Sequence, residues 1–318
     1  MSSLVAIFAG AVLPIVLLVG VGGLLGWRRD VDVRPLSTVT IYVLVPALTF
    51  HSLTTTTLSG ASVAKVLVGV VGFLVVMGGV AEVVGRAVGG AEPLHSALVL
   101  AAAVPNSGNF GIPLSTFAFG ATGRATAVVF LVGQSVVVYT LGVYVASRAG
   151  GARGRAALDQ VFRLPLVYAV VAAWLVRWLG VVPAPDSTLM TTIGLAGDAA
   201  IPLMLLLVGI ELVNADYGAA VGRVALADGL KLLVAPLVGV AVALALGFAD
   251  PTIARTFVLE CATPVAVTPL ILLVEFAESP VDGVSAPAFL SSAVLTSTLL
   301  AIPVLTGLIA VLEAGVFG

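Results

Sequence analysis

Residues 101–114, "AAAVPNSGNFGIPL", sit inside a long apolar run yet contain two prolines, two glycines, two asparagines and a serine. A proline inside a helix removes a backbone hydrogen bond and clashes with the preceding turn. Asparagine and serine add polar groups that apolar surroundings leave unsatisfied. The stretch reads as a break in a helix that neighbouring elements must satisfy.

What surrounds it follows from composition. The 318 residues are 60% hydrophobic and 9% charged, with a mean hydropathy of +1.21. Soluble domains hold about 45–50% apolar and about 25% charged residues. The apolar surplus cannot all be buried in a water-soluble globule of this size, so the chain is expected to be an all-α polytopic membrane protein. A spanning helix needs about 20 apolar residues. Ten spans meet that measure: 4–26, 35–56, 62–88, 95–121, 123–147, 163–182, 188–213, 218–248, 252–277 and 284–312. The tightest boundary is 120–124, where "FGATGR" must turn the chain in little space. The N-terminus lacks a basic leader and its apolar run continues to Gly26, which suits a retained first span.

Basic residues orient the spans. With the N-terminus outside, nine arginines fall in inner loops (28, 29, 34, 86, 148, 153, 155, 163 and 223). Lys65, Arg124, Arg177 and Arg255 fall outside, and Lys231 lies within a span. The excess predicts both termini outside a cell membrane. The loop "SRAGGARGRAALDQVFR" carries four of these arginines and falls almost midway along the chain.

That midpoint divides a repeat. Pro14, Pro46, Lys65 and the interval Pro93 to Pro105 recur in order as Pro165, Pro202, Lys231 and the interval Pro251 to Pro264. Each half, 1–147 and 163–318, holds five spans, with residues 148–162 as the cytoplasmic loop between them. An odd number of spans per repeat inverts the second half, an arrangement found in secondary transporters. The opening stretch then has a counterpart, "ECATPVAVTP" at 260–269. Spans 4 and 9 are both broken and are expected to cross near the midplane. Broken backbone at membrane depth survives only where protein buries it or it lines a wet cavity. Half-helix N-termini would aim partial positive charge at a common point.

The groups near that point are neutral: Asn106, Ser107 and Asn109 with Gly108 in span 4, Thr263 and Thr268 in span 9. Such amides and hydroxyls suit a carboxylate, whereas a carried cation needs compensating negative charge. Asp228 and Lys231 are three apart and can pair on one helical face; Glu82 and Arg86 can do the same. Glu260 and Asp198 each precede a proline by one turn, and either titrate and couple transport or cap a broken helix. Lys65 either snorkels or attracts an anion. His51 and His95 are expected at the interfaces, Cys261 in the core. Gln134, in mid-span, serves the cavity or bonds another helix. There is no nucleotide-binding loop, metal-spaced cluster, nucleophile elbow or basic tail, so neither an enzyme, a cofactor nor a nucleic-acid partner is expected.

At these positions the sequence resembles the auxin efflux carrier family, which includes plant PIN proteins and prokaryotic permeases for malonate and other organic acids. The resemblance rests on "LPIVLLVGVGGLLGWRR", "YVLVPALTFHSL", "VPNSGNFGIPL", "ATPVAVTPLILL" and "LSSAVLTSTLLAIPV". It implies a scaffold of spans 1, 2, 6 and 7 that dimerises, and a transport domain of spans 3–5 and 8–10 that moves like an elevator. The family's crossover prolines and following polar residues fall on Pro105 and Asn106, and on Pro264 and Val265, so the second polar residue is absent. The supporting lysine falls on Lys65, with Ala61 in place of its acidic neighbour, and the polar residue of span 5 falls on Gln134. The expected function is secondary transport of a small organic anion, with a sodium- or proton-coupled carrier as the rival and a non-transporting membrane sensor as a third reading.

Overall fold

The computed structural model describes residues 8–55, 58–89, 92–148, 165–213, 221–276 and 285–317. The central loop expected at 148–162 lies outside the described residues except for Arg148. Among the described residues all regular structure is helical: α1 (Leu13–Arg28), α2 (Val33–Thr55), α3 (Gly60–Val88), α4 (Glu92–Ala103), α5 (Ile112–Val137), α6 (Val143–Arg148), α7 (Pro165–Trp178), α8 (Thr188–Val213), α9 (Val221–Leu246), α10 (Pro251–Ala262), α11 (Thr268–Phe276) and α12 (Ala286–Val311).

Six helical segments are long and apolar enough to cross a membrane: α2, α3, Ser107–Val137, Thr188–Ile210, α9 and Ala286–Gly315. α1 and α7 are apolar but shorter. Valines and leucines such as Val68, Val83, Leu195 and Leu237 stand exposed on the outer helix faces. Trp174 and Trp178 stack in parallel at 6.1 Å on α7 and are also exposed. Water would penalise these surfaces, and hydrocarbon and its interface accept them. The chain is a multi-pass membrane protein.

Prolines shape the helices in a repeated way. π-helical turns at Phe8–Val12, Thr40–Leu44, Ser107–Gly111 and Leu230–Val234 end two residues before Pro14, Pro46, Pro113 and Pro236. Each proline lacks the N–H that would bond the carbonyl four residues back, and its ring crowds that carbonyl. Widening the turn moves the carbonyl aside without ending the helix.

Packing is closest where glycines meet backbone. Gly22 of α1 lies against the Leu206 backbone of α8, and Gly209 of α8 lies against the Val19 backbone of α1. Close approach through small residues is how helices gain contact where lipid supplies no hydrophobic drive. α2 packs on α7 and α8, α3 on α4 and α5, α10 on α5 and α9, and α12 on α4 and α9. The turn expected near residue 120 is present. Gly120 adopts φ 62° and ψ −144° within α5, and Gly123 comes back against the Ser115 backbone.

Candidate functional site

The two breaks meet. α4 ends at Ala103 and α10 ends at Ala262; beyond them Pro105 and Val265 form an antiparallel bridge. Asn106 N–H donates to the Pro264 carbonyl at 2.8 Å, and Ala266 N–H donates to the Val104 carbonyl at 3.2 Å. Pro105 has no N–H, so the pairing passes through its neighbours. Broken backbone thereby finds its partners in the opposite break.

Several carbonyls at and just beyond the helix ends are also taken. Gln134 Nε2 donates to the Pro105 carbonyl at 2.9 Å, and Ser107 Oγ donates to Gln134 Oε1 at 3.1 Å. Lys231 Nζ donates to the Cys261 carbonyl at 3.1 Å. Thr263 Oγ1 donates to the Glu260 carbonyl at 2.9 Å, and Ser297 Oγ accepts from Val265 N–H at 3.0 Å. Protein donors therefore hold the carbonyls of Val104, Pro105, Glu260, Cys261 and Pro264 around the crossing.

The donors are a different matter. After Asn106 a helical run continues from Ser107 to the turn at Gly120. Phe110 and Gly111 give their N–H groups to the Asn106 carbonyl, while the first N–H groups of a helix have no partner within it. Those belong to Ser107, Gly108 and Asn109, which line a cavity of about 240 Å³ with Pro105, Asn106 and Gln134. Asn106, Asn109 and Thr268 also line it, Asn106 at the boundary with a second cavity bounded by Val208 and Ser291, and none of the three has a side-chain hydrogen-bond partner among the described residues. Asn106 is 5% exposed. A pocket rich in free donors at a helix N-terminus, with the neighbouring Pro105 and Pro264 carbonyls already bonded, suits an anion.

Several predicted residues lie elsewhere or act differently. Thr263, Pro264 and Val265 build the crossing but do not line this cavity; the Thr263 hydroxyl turns back on its own helix. Lys65 donates to the Gly247 carbonyl at 2.6 Å, satisfying the end of α9 far along the chain from the breaks. Asp198 pairs with Arg124 at 2.7 Å and is 60% exposed, so it neither caps a break nor faces the cavity. The expected Asp228–Lys231 pair is absent: Asp228 accepts from Thr296 Oγ1 at 2.6 Å, and Lys231 turns to Cys261. His95 is buried and its Nε2 lies 3.0 Å from Glu82, without the alignment of a hydrogen bond. Glu82 does pair with Arg86, at 2.7 Å, and also with Arg148 at 3.1 Å. Cys261 is buried, as expected.

Gln134 is the tie across the first break. Gln134→Ala leaves the Pro105 carbonyl and the Ser107 hydroxyl without their partner. A stranded buried polar group costs about 1–3 kcal/mol, so thermal denaturation in detergent is expected at a clearly lower temperature, with weaker ligand-induced stabilisation. Ser115 and Ser297 escaped the sequence reading because a serine among apolar residues carries no periodic signal.

The motifs that compose the crossing extend through a whole-chain match. A family described as "Membrane transport protein" matches residues 7–309. A protein of Methanothermobacter thermautotrophicus named "Uncharacterized transporter" is 30% identical over 284 residues, covering 89% of this chain and 92% of that one. With its helices, its bridged breaks and this match, the chain belongs to the membrane transport protein family, the auxin efflux carriers.

Proposed function

We propose that the protein is a secondary carrier for a small organic anion, a carboxylate, which binds at Asn106 and crosses by elevator-type alternating access. The observation that carries this reading is the cavity in which free amides, a hydroxyl and helix N–H groups converge while every nearby helix-end carbonyl named above is occupied. The chain is then read as ten spans in two inverted repeats. Spans 1, 2, 6 and 7 form a scaffold suited to a homodimer, and spans 3–5 and 8–10 form the moving domain. The dense packing of α1 and α2 on α7 and α8 supports that division.

The cavity is lined on its far side by Ser37 and Ile41 of α2, and by Pro165 and Leu166 of α7. These are the ends beside the arginine-rich segments, so in a cell membrane with both termini outside the site opens inward. A separate cavity of about 440 Å³ at the opposite end is lined by His51, Ser52, Thr116 and Arg124. There the Arg124–Asp198 pair joins the moving domain to the scaffold. An exposed pair is worth at most about 1 kcal/mol, roughly fivefold in a rate or population. Asp198→Asn is expected to leave thermal stability unchanged and to raise anion exchange by up to about fivefold.

The deciding experiment is uptake of radiolabelled malonate, pyruvate and indole-3-acetate by proteoliposomes, with protein-free liposomes as the control for leak. Saturable uptake of at least one acid, blocked by an excess of the unlabelled acid, is expected. Absence of saturable uptake with all three would overturn the carboxylate assignment.

A further inference from the structure

We infer that Glu260 takes up a proton when the anion binds at Asn106, making the carrier a proton–anion symporter. This rests on the carrier reading above. Glu260 and Lys231 are both fully buried, and the anion site does not use either side chain.

Glu260 lies on α10, four residues before Pro264, so about 6 Å of helix axis separates it from the crossing. Its side chain reaches over to the other break. Oε1 accepts from Ser115 Oγ at 2.6 Å, and the carboxylate rests on Gly111, where a Cβ would collide with it. Oε2 is buried and has no hydrogen-bond partner. A buried carboxylate oxygen without a partner is costly, and a proton bound there removes the charge at its source.

The charged surroundings are sparse. The segments packed against α10 are α3, α5, α9, α12 and the π-helical turns at Ser107–Gly111 and Leu230–Val234. Lys231, on the last of these, is the cation beside Glu260: its ammonium donates to the Cys261 carbonyl and lies 5.5 Å from the centre of the Phe73 ring. Arg223, eight residues before Lys231 on α9, is partly exposed; the other charged groups on the described parts of these segments are engaged elsewhere. Asp228 is bonded to Thr296, Arg124 to Asp198, Lys65 to Gly247, and Glu82 and Arg86 to each other. On α10 itself Arg255 donates to the Phe317 carbonyl at 3.2 Å, and Cys261 is a buried thiol.

Charge balance then couples the two ligands. With Glu260 ionised and Lys231 protonated, the two charges cancel and the empty site carries no net charge. A bound monocarboxylate adds one negative charge in a low-dielectric interior, where such charge is expensive. One proton, forming an O–H bond at Glu260 Oε2, restores neutrality; on release the proton returns to water with the anion. A metal cation fits less well, because the Lys231 ammonium already occupies the neighbourhood.

The test uses proteoliposomes clamped at zero membrane potential and a one-unit inward proton gradient, with radiolabelled pyruvate, a monocarboxylate, as the probe. One proton per anion predicts accumulation approaching tenfold, since one pH unit is worth about 1.4 kcal/mol and that energy is a factor of ten. Glu260→Gln is expected to keep exchange of labelled for unlabelled anion and to lose the gradient-driven accumulation. Ser115→Ala removes a hydrogen bond that favours the ionised carboxylate, so its transport–pH profile should move to higher pH. That second variant decides the matter if Glu260→Gln fails to fold. Accumulation by Glu260→Gln equal to wild type, an unmoved profile for Ser115→Ala, or uptake driven by a sodium gradient and indifferent to pH would each overturn proton coupling while leaving the carrier reading intact. No flux of any acid would overturn both.

Discussion

Asn106→Ala is expected to abolish anion transport while leaving a folded protein. The residue holds the crossing through its backbone: its N–H donates to Pro264, and its carbonyl accepts from Phe110 and Gly111. Alanine keeps all three bonds. What it removes is an unpartnered side-chain amide on a residue that lines the cavity. At a residue only 5% exposed, the amide would replace water around the carboxylate. A hydrogen bond to a charged group contributes about 1.5–3 kcal/mol, a loss of roughly ten- to over a hundredfold in affinity. At substrate concentrations well below wild-type half-saturation uptake should fall by that same factor, towards the level of protein-free liposomes, with an unchanged elution profile and melting temperature. Full activity of this variant would remove Asn106 from the site. Asn106→Asp should fail as completely, because a second negative charge would repel the anion.

The second large effect is structural. Gly209→Val is expected to break the packing of α1 on α8. A Cβ at Gly209 would meet the Val19 carbonyl and the Gly23 N–H, and a Cβ at Gly22 would meet the Leu206 carbonyl. These obstacles are backbone atoms, so no side-chain rotation relieves them. Overpacking a close contact costs typically 1–3 kcal/mol and more where the backbone must move, and here two helices must separate. Little monodisperse protein should survive detergent extraction. Gly20→Val is the control, because a Cβ at Gly20 meets nothing within 4 Å; it should behave as wild type. If Gly209→Val were equally stable, the close α1–α8 approach would be wrong.

Much of the architecture was legible because its causes are local. A proline lacks its N–H wherever it stands, so the breaks at residues 105 and 264 and the π-helical turns before Pro46 and Pro236 follow from neighbours in the chain. The turn at Gly120 was legible for a similar reason, since a positive φ favours glycine. Two features were misread for the opposite reason. Asp228 and Lys231 are neighbours on one helical face, yet each found a better partner on another helix. Asp198 stands one turn before a proline but points out to Arg124, 74 residues earlier in the chain. Helical spacing states which residues share a face and is silent on what that face meets.

The sequence alone determined that this chain lives in lipid, that it is helical, where its helices break and which polar groups the first break carries. Each is set by composition or by the covalent chemistry of one residue. The tertiary structure alone decided that the breaks pair with each other through Asn106 and Ala266, that carbonyls around the crossing are occupied and the donors free, and that Glu260 closes on Ser115, 145 residues away. Those facts depend on which surfaces approach, and a buried polar group takes the partner that packing delivers, whatever its distance along the chain.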